Sequence, residues 1–168
     1  LIVFENEKPS EKAIKIDTPL KNSKAIAGGW NIVGHRIDNK TFTWNMTELI
    51  DFSTSSDSTQ SSFAGEIIYK TTINNTDDFT HLDLGDVNEG VTELYVNGKK
   101  IGKRWYGKAV YPIEEFLKQG DNILEVHYTT VLANYCKSLG NPLASVWTRR
   151  YKDKVPTGLV GPVKLLSY

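Results

Sequence analysis

General acid–base catalysis by side chains calls for carboxylates held as a facing pair across a cleft. The acids that fall near strand ends and turns here are Asp83, Asp86, Glu114 and Glu115. Each has a structural use of its own. Asp83 sits between Leu82 and Leu84, on the solvent side of a strand, and Asp86 falls at a strand end, as turn residues do. Glu114 and Glu115 open a helical turn, where acids complement the backbone dipole. No catalytic pair is assigned. His35, His81 and His127 are far apart and lack metal-ligand spacing, which argues against zinc. Cys136, the single cysteine, can form no intrachain disulfide, and with nothing local to activate it with His35 or His127 it reads as a buried, inert thiol. No glycine-rich phosphate loop is present.

Binding chemistry is better represented. Carbohydrate recognition uses exposed aromatic faces for C–H stacking and polar side chains for hydroxyls. Lys103-Arg104-Trp105-Tyr106-Gly107-Lys108 offers two aromatics, three cations and a flexible glycine in one loop. Three readings of Trp105 and Tyr106 stay open: packing within the core or loop, a surface for docking another domain, and a platform for a sugar. Tyr135, Trp147, Arg149 and Tyr151 form a second group of the same kind, although Arg149-Arg150 with Lys152 and Lys154 also reads as a solvated basic loop. Asp77-Asp78 and Asp121-Asn122 carry oxygen ligands suited to a structural Ca²⁺, and turn chemistry explains both pairs as well.

The elements that must hold these residues are mostly strands. Thr92 to Val96 alternates, Asn97-Gly98 follows, and the chain returns through Ile101 to Trp105. Asn-Gly permits positive φ at both central positions, so a type I′ hairpin is expected. Thr80 to Leu84 and Asn122 to Thr129 are further strands, and Glu114 to Lys118 is a helical turn with Gly120 as its C′ cap. Ala13 to Ile16, Ile26 to Val33, Thr41 to Met46 and Phe63 to Ile73 complete the alternating set, with Ile67, Tyr69, Thr71 and Ile73 on one face. Trp30 reads as a core residue, with a sugar platform as the alternative. Ser53 to Ser62 is too polar for a core and is expected as a mobile surface loop; Val131 to Pro156 is expected to be irregular. Many short strands and one convincing helical turn predict an all-β antiparallel sandwich. The chain has 168 residues and balances 20 basic against 20 acidic side chains, which disfavours a nucleic-acid binder. No apolar run nears the roughly 20 residues of a membrane helix.

The order "LDLG-V … LYVNGK-IG … Y-I-EFLK-G-N-LEV" resembles the sugar-binding jelly-roll of glycoside hydrolase family 2. It resembles still more closely the C-terminal jelly-roll of family-106-like enzymes, the bacterial α-L-rhamnosidase group. The "G-W-V" strand at Gly29–Val33, the "FSG…Y" strand at Phe63–Ile73 and the closing "GL-GPV-L" run at Gly158–Leu165 extend the likeness over roughly residues 26–168. Asn134-Tyr135 stands where that family carries Asn-Arg. The resemblance implies a galactose-binding-like jelly-roll over residues 13–168, with 1–12 as a linker or the trailing strand of a preceding domain. It implies an accessory domain whose catalytic acids lie in a separate domain of the same parent polypeptide, with docking to that domain and contact with a poly- or oligosaccharide as its tasks. An independent carbohydrate-binding module and a purely structural sandwich are the alternatives. A start at Leu1 without Met is read as a piece of a longer or processed protein, and the resemblance implies a periplasmic or extracellular location.

Overall fold

Period-two alternation decides the architecture of the described residues, which in the computed structural model are 19–75, 78–148 and 153–168. The expected strand at Ala13–Ile16 and the linker at 1–12 lie outside them. In chain order the elements are β1 (Asn22–Ala25), β2 (Trp30–Arg36), β3 (Thr41–Met46), the one-turn helix α1 (Ser58–Ser61), β4 (Gly65–Asn75), β5 (His81–Asp83), β6 (Asp86–Val87) and β7 (Gly90–Val96). They continue as β8 (Lys99–Arg104), β9 (Val110–Pro112), β10 (Gly120–Thr130), α2 (Ala133–Ser138), α3 (Pro142–Thr148), β11 (Leu159–Gly161) and β12 (Lys164–Ser167). All paired strands run antiparallel. One sheet has the order β3-β2-β4-β10-β7-β8, the other β1-β12-β5-β9, and β11 with β6 makes a short ribbon. This is the all-β sandwich expected from the sequence.

The eleven-residue strands β4 and β10 lie at the centre of the larger sheet and pair along nearly their whole length. Their inward residues, Ile67, Tyr69, Thr71 and Ile73 on β4 and Leu124, Val126 and Tyr128 on β10, are buried as the alternation requires. Leu82, Tyr111 and Leu165 come from the smaller sheet into the same core. Each large apolar side chain buried this way contributes about 1.5–3 kcal/mol. Trp30 is 3% exposed, so the core reading holds and the platform reading does not. Elsewhere in the core Phe42, Phe52 and Phe63 pack stacked and edge-to-face on Trp44 of β3.

The hairpin forms where Asn97-Gly98 placed it, with φ of 51° and 77° at the two positions. Asn97 does more than turn the chain. Its amide nitrogen donates to Phe116 O and Asn122 Oδ1, and its own Oδ1 accepts from Ile123 N. Asn122 is fully buried; its Oδ1 also accepts from Lys118 N and its Nδ2 donates to Lys118 O and Gly120 O. The turn, the 3₁₀ turn Glu114–Phe116 and the start of β10 are thus one hydrogen-bonded unit. Gly120 is not the cap of that helical turn. The chain leaves it extended at Leu117 (φ −78°, ψ 144°), and Gly120 opens β10 instead.

Asn22–Ala25, between the expected strands, is a further strand and pairs with β12. Three further expectations are corrected. The Ser53–Ser62 tract is ordered into a 3₁₀ turn (Phe52–Thr54) and α1: Asp51 accepts from Ser53 N, Asp57 from Thr59 N, and Gln60 and Ser61 are buried. Side-chain caps satisfy the backbone that a polar tract would otherwise leave to water. Within 131–156, α2 and α3 replace the expected irregular chain. Asn134 ties α2 down, donating to Val155 O (2.7 Å) and Thr157 Oγ1 while accepting from Val155 N. Cys136 on α2 is half-buried rather than buried.

Candidate functional site

Where β8, the edge of the larger sheet, meets β9, the edge of the smaller one, a cleft of about 270 Å³ opens at one end of the sandwich. Its walls are the turn before β7 (Val87, Asn88, Glu89, Gly90), Thr92 on β7, and Arg104 to Gly107 with Ala109 on the way into β9. The hairpin register brings these walls together, since Thr92 stands opposite Arg104. A bulge in β8 between the partners of Leu94 and Tyr95 skips Ile101 and re-aims the strand just before the loop.

Each wall has its own support. Tyr128, buried beneath the turn, donates its hydroxyl to Glu89 O, and burial pushes its phenol up to about 12. Gly90 has φ of +156°, and a Cβ there would lie 2.5 Å from Thr129 O and 2.7 Å from the Tyr128 ring, so only glycine lets the turn sit this close. Under the cleft, Tyr111 donates to Thr92 O (3.1 Å) and lies 2.8 Å from Thr92 Oγ1; burial raises its pKa above the usual phenol range. Arg104 lies over the Tyr111 ring, 5.4 Å from its centroid, and reaches Val110 O at 3.5 Å.

Trp105 and Tyr106 stand at the rim. They are 77% and 85% exposed, with ring centroids 6.1 Å apart and planes at 49°. Packing in the core is therefore ruled out for both; within the loop the two rings meet only each other among the described residues, and the two surface readings remain. The amide nitrogen of Asn88 is buried without a hydrogen-bond acceptor among the described residues. Arg104 and Glu89 line the same cleft, yet neither forms an ion pair among the described residues.

Arg104, Trp105 and Tyr106, grouped in the sequence, line one cleft, and the structure adds Asn88, Glu89 and Thr92, which the sequence reading did not single out. A signal for them existed: counting back from Asn97-Gly98 sets the turn before β7 beside the Trp105 loop. Tyr135 stands elsewhere. It lies on α2 beneath Arg36, whose guanidinium is 5.7 Å from its ring and is also paired with Asp38. Arg36 pairs with Gly65, and Thr130 beside it with Gly90, so both groups occupy one end of the sandwich. Four strand spacings separate β2 from β8, roughly 19 Å at about 4.8 Å each. Trp147 lies on α3; Arg149 and Tyr151 lie outside the described residues.

Of the four acids, Asp83 accepts from Gly85 N at 2.9 Å and Asp86 is exposed on β6. Glu89 is the one carboxylate of the cleft beside Trp105. Glu114 and Glu115 line another cleft, of about 230 Å³, together with Thr80 and His81. Of the calcium candidates, Asp78 is exposed, Asp121 accepts from Asn74 Nδ2 at 2.8 Å, and Asn122's oxygen is already filled by two donors. Asp77 is outside the described residues, among which no group of three His, Cys, Asp or Glu could hold a metal ion. No described helix is long and apolar enough to cross a membrane.

No protein-family model and no curated protein matches the chain. Solved structures do match. A rhamnosidase from Novosphingobium sp. PP1Y superposes with a TM-score of 0.72 at 23% identity, over 87% of this chain and 15% of that one. A β-glucuronidase from Ruminococcus gnavus, in complex with a C6-substituted uronic isofagomine, gives 0.54 at 16% identity, over 65% and 22%. The chain spans less than a quarter of either neighbour, and at these identities the likeness is one of fold: an antiparallel β-sandwich that recurs as one part of two much larger proteins.

Proposed function

We propose that this chain is a non-catalytic accessory domain of a glycoside hydrolase, a galactose-binding-like sandwich over residues 13–168. In this reading the loop-bearing end of the sandwich faces the catalytic domain and the glycan. The observation that carries it is the exposure of Trp105 and Tyr106 over a cleft with a single carboxylate. Aromatic area of this size, left in water, marks a contact surface. Leu139, Leu143 and Val146 of the α2–α3 segment add exposed apolar area. The rhamnosidase likeness supports the same reading, because there the matching part is a small share of a longer polypeptide. A periplasmic or extracellular location belongs to this proposal.

Carbohydrate binding by the domain itself is the second reading. It is favoured by Glu89 and Arg104, opposite charges that line the cleft under the aromatic rim, which a dry docking patch would not need. The accessory role is tested by incubating the chain alone with p-nitrophenyl α-L-rhamnoside, β-D-glucuronide and β-D-galactoside. No release of p-nitrophenol is expected; turnover proportional to chain concentration, and lost in Glu89→Gln, would overturn it.

A further inference from the structure

We propose that the cleft between Glu89 and Arg104 takes one neutral pyranose ring of a glycan, with the ring face on Trp105 and a vicinal diol bridging the two charges. The inference deepens the accessory-domain reading and rests on it for the ligand being a sugar; the selectivity is argued from the cleft.

Two charged groups there have unused hydrogen-bonding capacity of defined sense. Arg104 has five N–H donors, and its one side-chain acceptor among the described residues is Val110 O at 3.5 Å. Glu89 presents an acceptor-only carboxylate whose backbone, not side chain, is used by Tyr128. Arg104 and Glu89 are unlike charges on one cleft that stop short of an ion pair, so a ligand between them must both accept and donate. A diol does both. A carboxylate or phosphate satisfies Arg104 but meets Glu89 as a like charge, and that repulsion selects against anionic sugars. Lys103, at the foot of the loop, is held by Glu93 on the outer sheet face and does not line the cleft. The volume, about 270 Å³, is just under the roughly 300 Å³ where drug-sized pockets begin, which suits a single ring.

The test follows the Trp105 indole N–H by nuclear magnetic resonance in ¹⁵N-labelled chain. Four tryptophans give four indole signals, and the one missing in Trp105→Phe is the reporter. Methyl glycosides of neutral hexoses and 6-deoxyhexoses are titrated first, then sodium glucuronate and galacturonate. At least one neutral glycoside is expected to shift the signal saturably, with the uronates weaker. Glu89→Gln and Arg104→Gln are each expected to weaken neutral binding roughly tenfold, and Glu89→Gln to narrow the gap to the uronates. An unmoved signal across the panel, tighter binding of a uronate, or unchanged affinity in Glu89→Gln overturns the inference. None of these touches the accessory role, which fails on turnover by the chain alone.

Discussion

Exposure separates the tryptophans at the scale of single residues. Trp30 was legible as core because Ile26 and Ile32 flank it in an alternating run, and it is buried. Trp105 was not, since whether an aromatic after a hairpin folds inward depends on where the strand stops, and the β8 bulge decides that. Trp105→Ala therefore removes little packing, and its stability is expected within about 0.5 kcal/mol of the parent by urea unfolding. Asn122 is the opposite case. Asn122→Ala takes one acceptor from Asn97 Nδ2, which keeps Phe116 O, and strands Lys118 N and two carbonyls in a part-buried site, and about 1–3 kcal/mol of destabilisation is expected in the same assay. Glu93 carries an acid-sensitive term. Lys100 and Lys103 hydrogen-bond its carboxylate and hold its pKa down to about 2. With the folded value below the unfolded one, the stabilisation is complete above about pH 4.5 and lost as pH falls toward 2. The fall in urea midpoint between pH 6 and pH 3 is expected to be smaller in Glu93→Gln than in the parent.

At the scale of elements, local chemistry that repeats at a fixed period was readable, and chemistry that depends on distant partners was not. The Asn97-Gly98 hairpin, the alternation of β4 and β10 and the half-buried β3 all followed from residue type and spacing. The serine tract did not, because its order rests on Asp51 and Asp57 caps and on Thr157 N bonding back to Asp51 across 106 residues. α2 and α3 were missed for the same reason: helices of six and seven residues carry little periodicity, and Asn134 anchors α2 through Val155 and Thr157. The turn before β7 offers a test at this scale. Gly90→Ala forces a Cβ against Thr129 O and the Tyr128 ring, so thermal unfolding should show a loss of stability well beyond the few tenths to 1 kcal/mol that a strain-free Gly→Ala gains.

For the whole molecule, two sheets bury one core, and the turn before β7, the Trp105 loop and the start of α2 all emerge at one end. The sandwich was legible from alternation alone, whereas the cleft needed the register of β7 with β8 and the meeting of two sheet edges. The most direct measurement puts binding and turnover in one sample: the chain is titrated with neutral p-nitrophenyl glycosides while Trp105 and released p-nitrophenol are followed together. A saturable response at Trp105 with no p-nitrophenol released is expected. Release by the chain itself, or a Trp105 signal that never moves, contradicts a non-catalytic domain that holds sugar at this cleft.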